Sequence, residues 1–184
     1  ALEVLQQKEA IRIFKDKADP HPDSREKDMK RVRGGILIQD RDGEPEQREM
    51  MEVVTEAKPS EDAWQDLLFA WTVCRHVRSN AIVLVKDRVT LGIGAGQMSR
   101  VDSTRLAIEK CRGAHGDEAT DLLTGSAMAS DAFFPFADGP AAAIEAGATA
   151  VIQPGGSKRD AEVIEACDES ETSMVFTKHR HFRH

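Results

Sequence analysis

The sequence predicts a three-layer α/β fold, and three observations carry that expectation. Short β-rich runs alternate with helical stretches from residue 80 to the end. Glycine or proline sits at most of the passages between them. The chain is also long enough to bury a real core, with 184 residues of which 40% are hydrophobic and 31% charged. Such alternation implies parallel β-α-β units with right-handed crossovers.

Residues 1–14 carry Leu2, Leu5, Ile11 and Phe14 at helical spacing, so a helix is expected there. Residues 15–33 are polar, rich in both charge signs and interrupted by Pro20 and Pro22, the pattern of a linker or mobile loop. Gly34-Gly35 opens a short strand at Ile36-Leu37-Ile38, and Val53-Val54-Thr55 suggests another. Ser60 reads as an N-cap. Glu61 and Asp62 then favour the positive end of the helix dipole, and Trp64, Leu67, Leu68 and Trp71 make one apolar face. That spacing assigns both tryptophans to core packing.

Ala81–Val85 and Val89–Ile93 read as a hairpin around Lys86-Asp87-Arg88, followed by a helix from about Ser99 to Cys111. The polar stretch 113–121 is expected to be a surface connection. A strand is expected to lead out through Ser126–Ser130, and Pro140 suits the first turn of a helix running to Gly147. Thr149–Ile152, Lys158–Glu169 and Met174-Val175-Phe176 complete the pattern as strand, helix and strand.

Charge and cysteine content exclude several classes. With 25 Lys+Arg against 32 Asp+Glu the net charge is −7, and a pI near 5.4 argues against coating nucleic acid or an anionic membrane. No apolar run approaches the ~18–20 residues of a membrane span, and no signal-peptide pattern opens the chain. Ala1 stands where a complete chain would carry Met, inside a helical pattern, so a piece of a longer polypeptide is expected. Cys74, Cys111 and Cys167 are far apart, which disfavours disulfides or structural zinc and fits a reducing cytoplasmic setting. Residues 40–62 are strongly acidic, whereas Lys178, Arg180 and Arg183 make the last seven residues cationic. That tail reads either as a solvated end or as an anion-binding segment with Arg180 forking onto phosphate. A metal reading through His179, His181 and His184 lacks a completing carboxylate or cysteine in sequence.

Ligands of α/β sheets gather where strands end and helices begin, which singles out Gly94–Arg100, Ser130–Phe136 and Pro154–Ser157. Gly92-x-Gly94-x-Gly96 fits neither the dinucleotide fingerprint nor the Walker pattern, so a tight turn feeding a helix competes with a phosphate loop. A nicotinamide-dependent oxidoreductase would rest on that loop alone. Arg100 opens a helix against its dipole, an arrangement that calls for a negative group nearby. In Ser130–Phe136, Phe133, Phe134 and Phe136 crowd around Pro135; all three rings cannot easily face inward, so at least one is expected to line an apolar slot.

Several blocks together are far more specific. Ser79-Asn80-Ala81-Ile82-Val83, Gly92 to Val101 through Gly94-Ala95-Gly96-Gln97-Met98-Ser99-Arg100, and Ala129 to Gly139 around Asp131-Ala132-Phe133-Phe134-Pro135-Phe136 closely resemble the AICAR transformylase/IMP cyclohydrolase family. Ile152-Gln153-Pro154-Gly155-Gly156-Ser157 and the terminal Arg180-His181-Phe182-Arg183-His184 do so too, in family order.

The resemblance implies the carboxy-terminal part of the transformylase, a duplicated, cytidine-deaminase-like αβα fold without zinc. Residues 1–15 would be the tail of the first subdomain, 16–33 a linker and 34–184 the second subdomain. It implies formyl transfer from 10-formyltetrahydrofolate to AICAR, giving FAICAR. The cyclohydrolase domain and the Lys-His pair of the first transformylase half lie outside the resembling segment, so the fragment alone is not expected to turn over. A folate- or nucleotide-binding scaffold without turnover is the competing expectation. The matching positions imply that Asn80 and His184 act at the reacting groups, and that Arg100, Phe133 and Arg180 bind AICAR. Val101, Phe134, Pro135 and Phe136 would face the folate. A monovalent cation, K+, is implied near Asp131. A homodimer with a composite site is implied as well.

Overall fold

The computed structural model describes residues 2–7, 10–14, 27–43, 47–181 and 183. The chain divides into two compact units, residues 1–44 and 45–184.

In the first unit the expected long helix is a short one, α1 (Leu2–Gln6). The polar stretch read as linker contributes a strand, β1 (Lys27–Val32), paired antiparallel with β2 (Gly35–Asp40). Gly34, with φ of 85°, makes the turn between them. Charge density hid this strand, because Lys27, Asp28, Lys30 and Arg31 break the alternation that sequence reading relies on.

The second unit is built on a six-stranded mixed sheet in the order β3-β8-β7-β6-β4-β5. Its strands are β3 (Glu52–Val53), β4 (Ile82–Lys86), β5 (Val89–Gly94), β6 (Ala127–Ser130), β7 (Ala150–Gln153) and β8 (Ser173–Phe176). Only β6, β7 and β8 run parallel; β4 is antiparallel to both β5 and β6, and β3 to β8. The expectation of parallel units therefore holds for the second half of the sheet alone. A tight turn joins β4 to β5, and a hairpin cannot be parallel.

Helices cover both faces, and the strands sort their side chains accordingly. Val83, Val85, Ala129 and Ile152 pack with Leu67, Ala70, Trp71 and Cys74 of α2 (Glu61–Cys74). Ile82, Leu84, Met128, Val151 and Met174 point the other way, into a cluster with residues of four helices. Those helices are α3 (Arg100–His115), α4 (Ala119–Leu123), α5 (Asp138–Glu145) and α6 (Asp160–Asp168). Burying each large side chain such as Leu67 or Met128 stabilises the fold by about 1.5–3 kcal/mol.

Ser60 caps α2, accepting the Ala63 N–H at 3.2 Å, and Ser99 caps α3 by accepting that of Asp102 at 3.2 Å. The stretch 113–121 is helical rather than a plain connection. Helix α3 continues to His115, a short 3-10 turn follows, and α4 begins at Ala119. Cys111, Ala119 and Leu123 anchor this run in the core, and Arg112 and His115 suit the negative end of α3.

Candidate functional site

Because β6 and β7 are parallel and β4 antiparallel to β6, the carboxyl ends of β5, β6, β7 and β8 and the start of β4 meet at one edge. The three loops singled out by their glycines and phenylalanines leave the sheet at this edge. They follow β5 at Gly94, β6 at Ser130 and β7 at Gln153.

Asp131 is the hub. It is 1% exposed and its carboxylate takes the Arg100 guanidinium, the Ser79 hydroxyl and, at 3.1 Å, the Ala81 N–H. The Arg100 side chain is itself only 9% exposed and also donates to Ser130 Oγ at 3.1 Å. The negative group demanded by a cation at the start of α3 is thus supplied from within the chain. Removing one partner of so enclosed a pair would leave a buried charge uncompensated.

Asn80 stands between the two residues tied to Asp131. Its peptide bond with Ser79 is cis. Its side-chain N–H donates to Gln97 O at 2.9 Å, and its own carbonyl accepts from Ser103 Oγ at 2.8 Å. Gln97 in turn donates to Ala95 O at 2.9 Å, so the loop after β5 is braced on itself and on Asn80.

The segment after β8 crosses the same edge as a strap. Thr177 N–H donates to Gln153 O at 2.9 Å, Lys178 N–H to Pro154 O at 3.0 Å and His181 N–H to Asp131 O at 2.9 Å. Ser79 and Arg183 then exchange two bonds, of 2.9 and 3.1 Å. His181 is buried, its ring 4.3 Å from that of Trp71, with His179 edge-on at 5.4 Å. Trp71 is a core residue, as its helical spacing required.

The three rings around Pro135 divide. Phe134 is fully enclosed in the core, whereas Phe133 and Phe136 are 36% and 51% exposed. A cavity of about 490 Å³ is lined by Phe133, Pro154, Gly155, Gly156, Lys178, His179 and Arg180. Phe136 instead lies under the Arg159 guanidinium, 4.7 Å from its ring centre. Pro135 is exposed and Val101 half-buried. The structure therefore brings Phe133 and Arg180 to one cavity, and ties Arg100 and both neighbours of Asn80 to Asp131. Phe133 and Phe136 reach solvent, whereas the Phe134 ring presents no open surface. The reason is packing: a Cβ on Gly139 would sit 2.8 Å from that ring. His184 lies outside the described residues.

The glycine run also resolves. A Cβ at Gly92 would stand 2.0 Å from Ala107 O, and one at Gly94 would stand 1.9 Å from Ser103 O. These two glycines let α3 lie against β5; only Gly96, with φ of 65°, makes a loop conformation that glycine favours. Ser79, Gln97 and Gln153 belong to this edge although the sequence blocks that contain them gave them no role at the site. A glutamine closing the apolar run Ala150-Val151-Ile152 is the cue that marks the last of these.

Residues 1–110 match the family model described as "AICARFT/IMPCHase bienzyme". The chain is 56% identical over 180 residues to the bifunctional purine biosynthesis protein PurH of Cereibacter sphaeroides, covering 96% of this chain and 34% of that protein. It is 52% identical over 187 residues to PurH of Roseobacter denitrificans, covering 100% and 35%. Against PurH of Magnetococcus marinus it is 59% identical over 160 residues, covering 85% and 30%. The chain thus spans about a third of the length of these relatives.

Proposed function

Because the chain belongs to the AICARFT/IMPCHase bienzyme family, we propose that it forms one wall of the transformylase site, where a formyl group passes from 10-formyltetrahydrofolate to AICAR. The observation that carries this reading is the cavity shared by Phe133 and Arg180, with Lys178, His179 and the Gly155-Gly156 loop around it. An apolar ring beside cations suits a ligand with a flat base at one end and a phosphate at the other. In this reading Arg180 meets the phosphate and Phe133 the base.

The AICAR amine is a weak nucleophile because its lone pair is delocalised toward the carboxamide. Transfer then depends on holding amine and formyl group in line and on stabilising the oxyanion of the tetrahedral intermediate. Asn80 fits the second task. One of its amide N–H groups is committed to Gln97 O, which fixes the rotamer, and an amide carries a second to donate. The exposed pair Pro135 and Phe136, with Val101, offers the folate an apolar ledge. Arg100 acts from below through Asp131, and a K+ ion near Asp131 would add to the charge already balanced there. The fold in this reading is the second cytidine-deaminase-like subdomain of a cytoplasmic homodimer, whose first half supplies the remaining catalytic groups.

Titration of the chain with AICAR and with a folate analogue tests the cavity, and mixing with the first transformylase half tests the chemistry. Saturable AICAR binding and recovered formyl transfer are expected. Binding without recovery would favour a ligand-holding scaffold, and the absence of both would end the proposal.

A further inference from the structure

Gln153 closes β7 and is fully buried, yet it is polar at both ends of its amide. Its Oε1 accepts the Phe134 N–H at 3.2 Å, and its Nε2 donates to Met174 Sδ at 3.3 Å. Its main-chain carbonyl accepts the Thr177 N–H at 2.9 Å, and the next carbonyl, of Pro154, accepts that of Lys178. One residue therefore grips the loop that carries Phe133 by its side chain and the strap that carries Arg180 by its backbone. The Phe134 N–H is buried with its residue, so the side-chain oxygen is the group that satisfies it. The weak sulfur acceptor on Nε2 leaves that end of the amide lightly held, so Oε1 carries the positional information.

We propose that Gln153 is a positioning residue that sets Phe133 at its distance from the strap cations, and thereby sets how strongly the cavity prefers a phosphate ligand bearing a flat base over one without. The inference rests on the nucleotide reading of the cavity. Loss of Oε1 frees the Phe134 N–H and lets the backbone beside Phe133 shift, the Phe134 ring staying in the core, while the backbone bonds of Gln153 and Pro154 keep the strap in place. Base recognition weakens and phosphate recognition stays.

The test measures the affinity of the chain for AICAR and for ribose 5-phosphate, in the wild type and in Gln153→Met and Gln153→Glu. Gln153→Met keeps the length but has no strong acceptor; Gln153→Glu keeps an oxygen at the same reach. Expected for Gln153→Met is an AICAR affinity lower by about tenfold, the scale of a lost aromatic stack, with ribose 5-phosphate unchanged. Gln153→Glu is expected to recover most of the preference. Hydrogen exchange of the Phe134 amide supplies a readout independent of ligand, faster in Gln153→Met and protected in Gln153→Glu. Equal loss of both ligands, or an unaltered Phe134 amide, overturns the positioning role while leaving the cavity assignment intact. A wild-type chain that binds neither ligand overturns the nucleotide reading and this inference together.

Discussion

Asn80 is placed by its neighbours as well as by its own contacts. Ser79 Oγ and Ala81 N–H both end on Asp131, and the Ser103 hydroxyl holds the Asn80 carbonyl from the first turns of α3. Its amide therefore faces a fixed direction before any ligand arrives, which is the condition under which a neutral donor stabilises a developing oxyanion. In the complete enzyme Asn80→Ala is expected to cost about 2.7–4 kcal/mol in the transition state, read as transformylase turnover lower by a factor of about 10²–10³ with the fold's melting temperature little changed. Near-normal turnover would remove Asn80 from the proposed mechanism. Asp66 shows the same economy in a purely structural setting. Buried on α2, it accepts the N–H groups of Asp87 and Arg88 at 3.0 and 2.7 Å, bracing the β4–β5 turn where both residues have positive φ.

At the scale of elements, the contact between β5 and α3 depends on two missing side chains. Gly92 and Gly94 are two residues apart in a strand and so share a face, the face on which α3 lies. Gly92→Ala would push a Cβ to 2.0 Å from a helix carbonyl that cannot rotate away. A loss of about 3 kcal/mol or more is expected, at or above the usual cost of overpacking, measured by urea unfolding. An unchanged midpoint would show that α3 can slide outward freely. The same glycines show where sequence reading stops. Their spacing was visible, but a loop glycine and a packing glycine look alike until the partner helix is placed. The strands from β4 to β8 and the Ser60 cap were legible because apolar runs and capping chemistry are local signals. The β1 strand and the helical run to Leu123 were not, since charged residues can pair or coil without an apolar period. At the site, Phe133 and Arg180 were legible as residue types, whereas the roles of Asp131 and Gln153 are long-range hydrogen bonds that leave no trace in spacing.

At the scale of the whole molecule, the three cysteines are buried thiols. Burial raises the pKa of Cys167 from the ordinary 9.0 to about 12, with Asp168 adding to the rise. Burial also lifts Cys74 well above its usual value, helped by Asp131 and opposed by Arg100. The folded state thus prefers the protonated thiol. Its contribution is fully present below pH 9.0 and is lost as pH climbs toward about 12. Cys167 is expected to remove up to about 1.4 kcal/mol of stability per pH unit across that window, and denaturant midpoints taken between pH 8 and 11 would show it. In the native protein at pH 8, iodoacetamide should leave Cys74 and Cys167 unmodified. No helix among the described residues is long and apolar enough to cross a membrane.

The ties that build the carboxyl edge have one further consequence. Ser79 reaches Asp131 across 52 positions and Arg183 across 104. Loops of that length close at an entropic cost that only an already docked sheet can repay. During refolding the β4–β5 hairpin can form early from neighbours, but ligand-binding competence should trail the return of secondary structure, arriving only when the most distant stretches of chain have met.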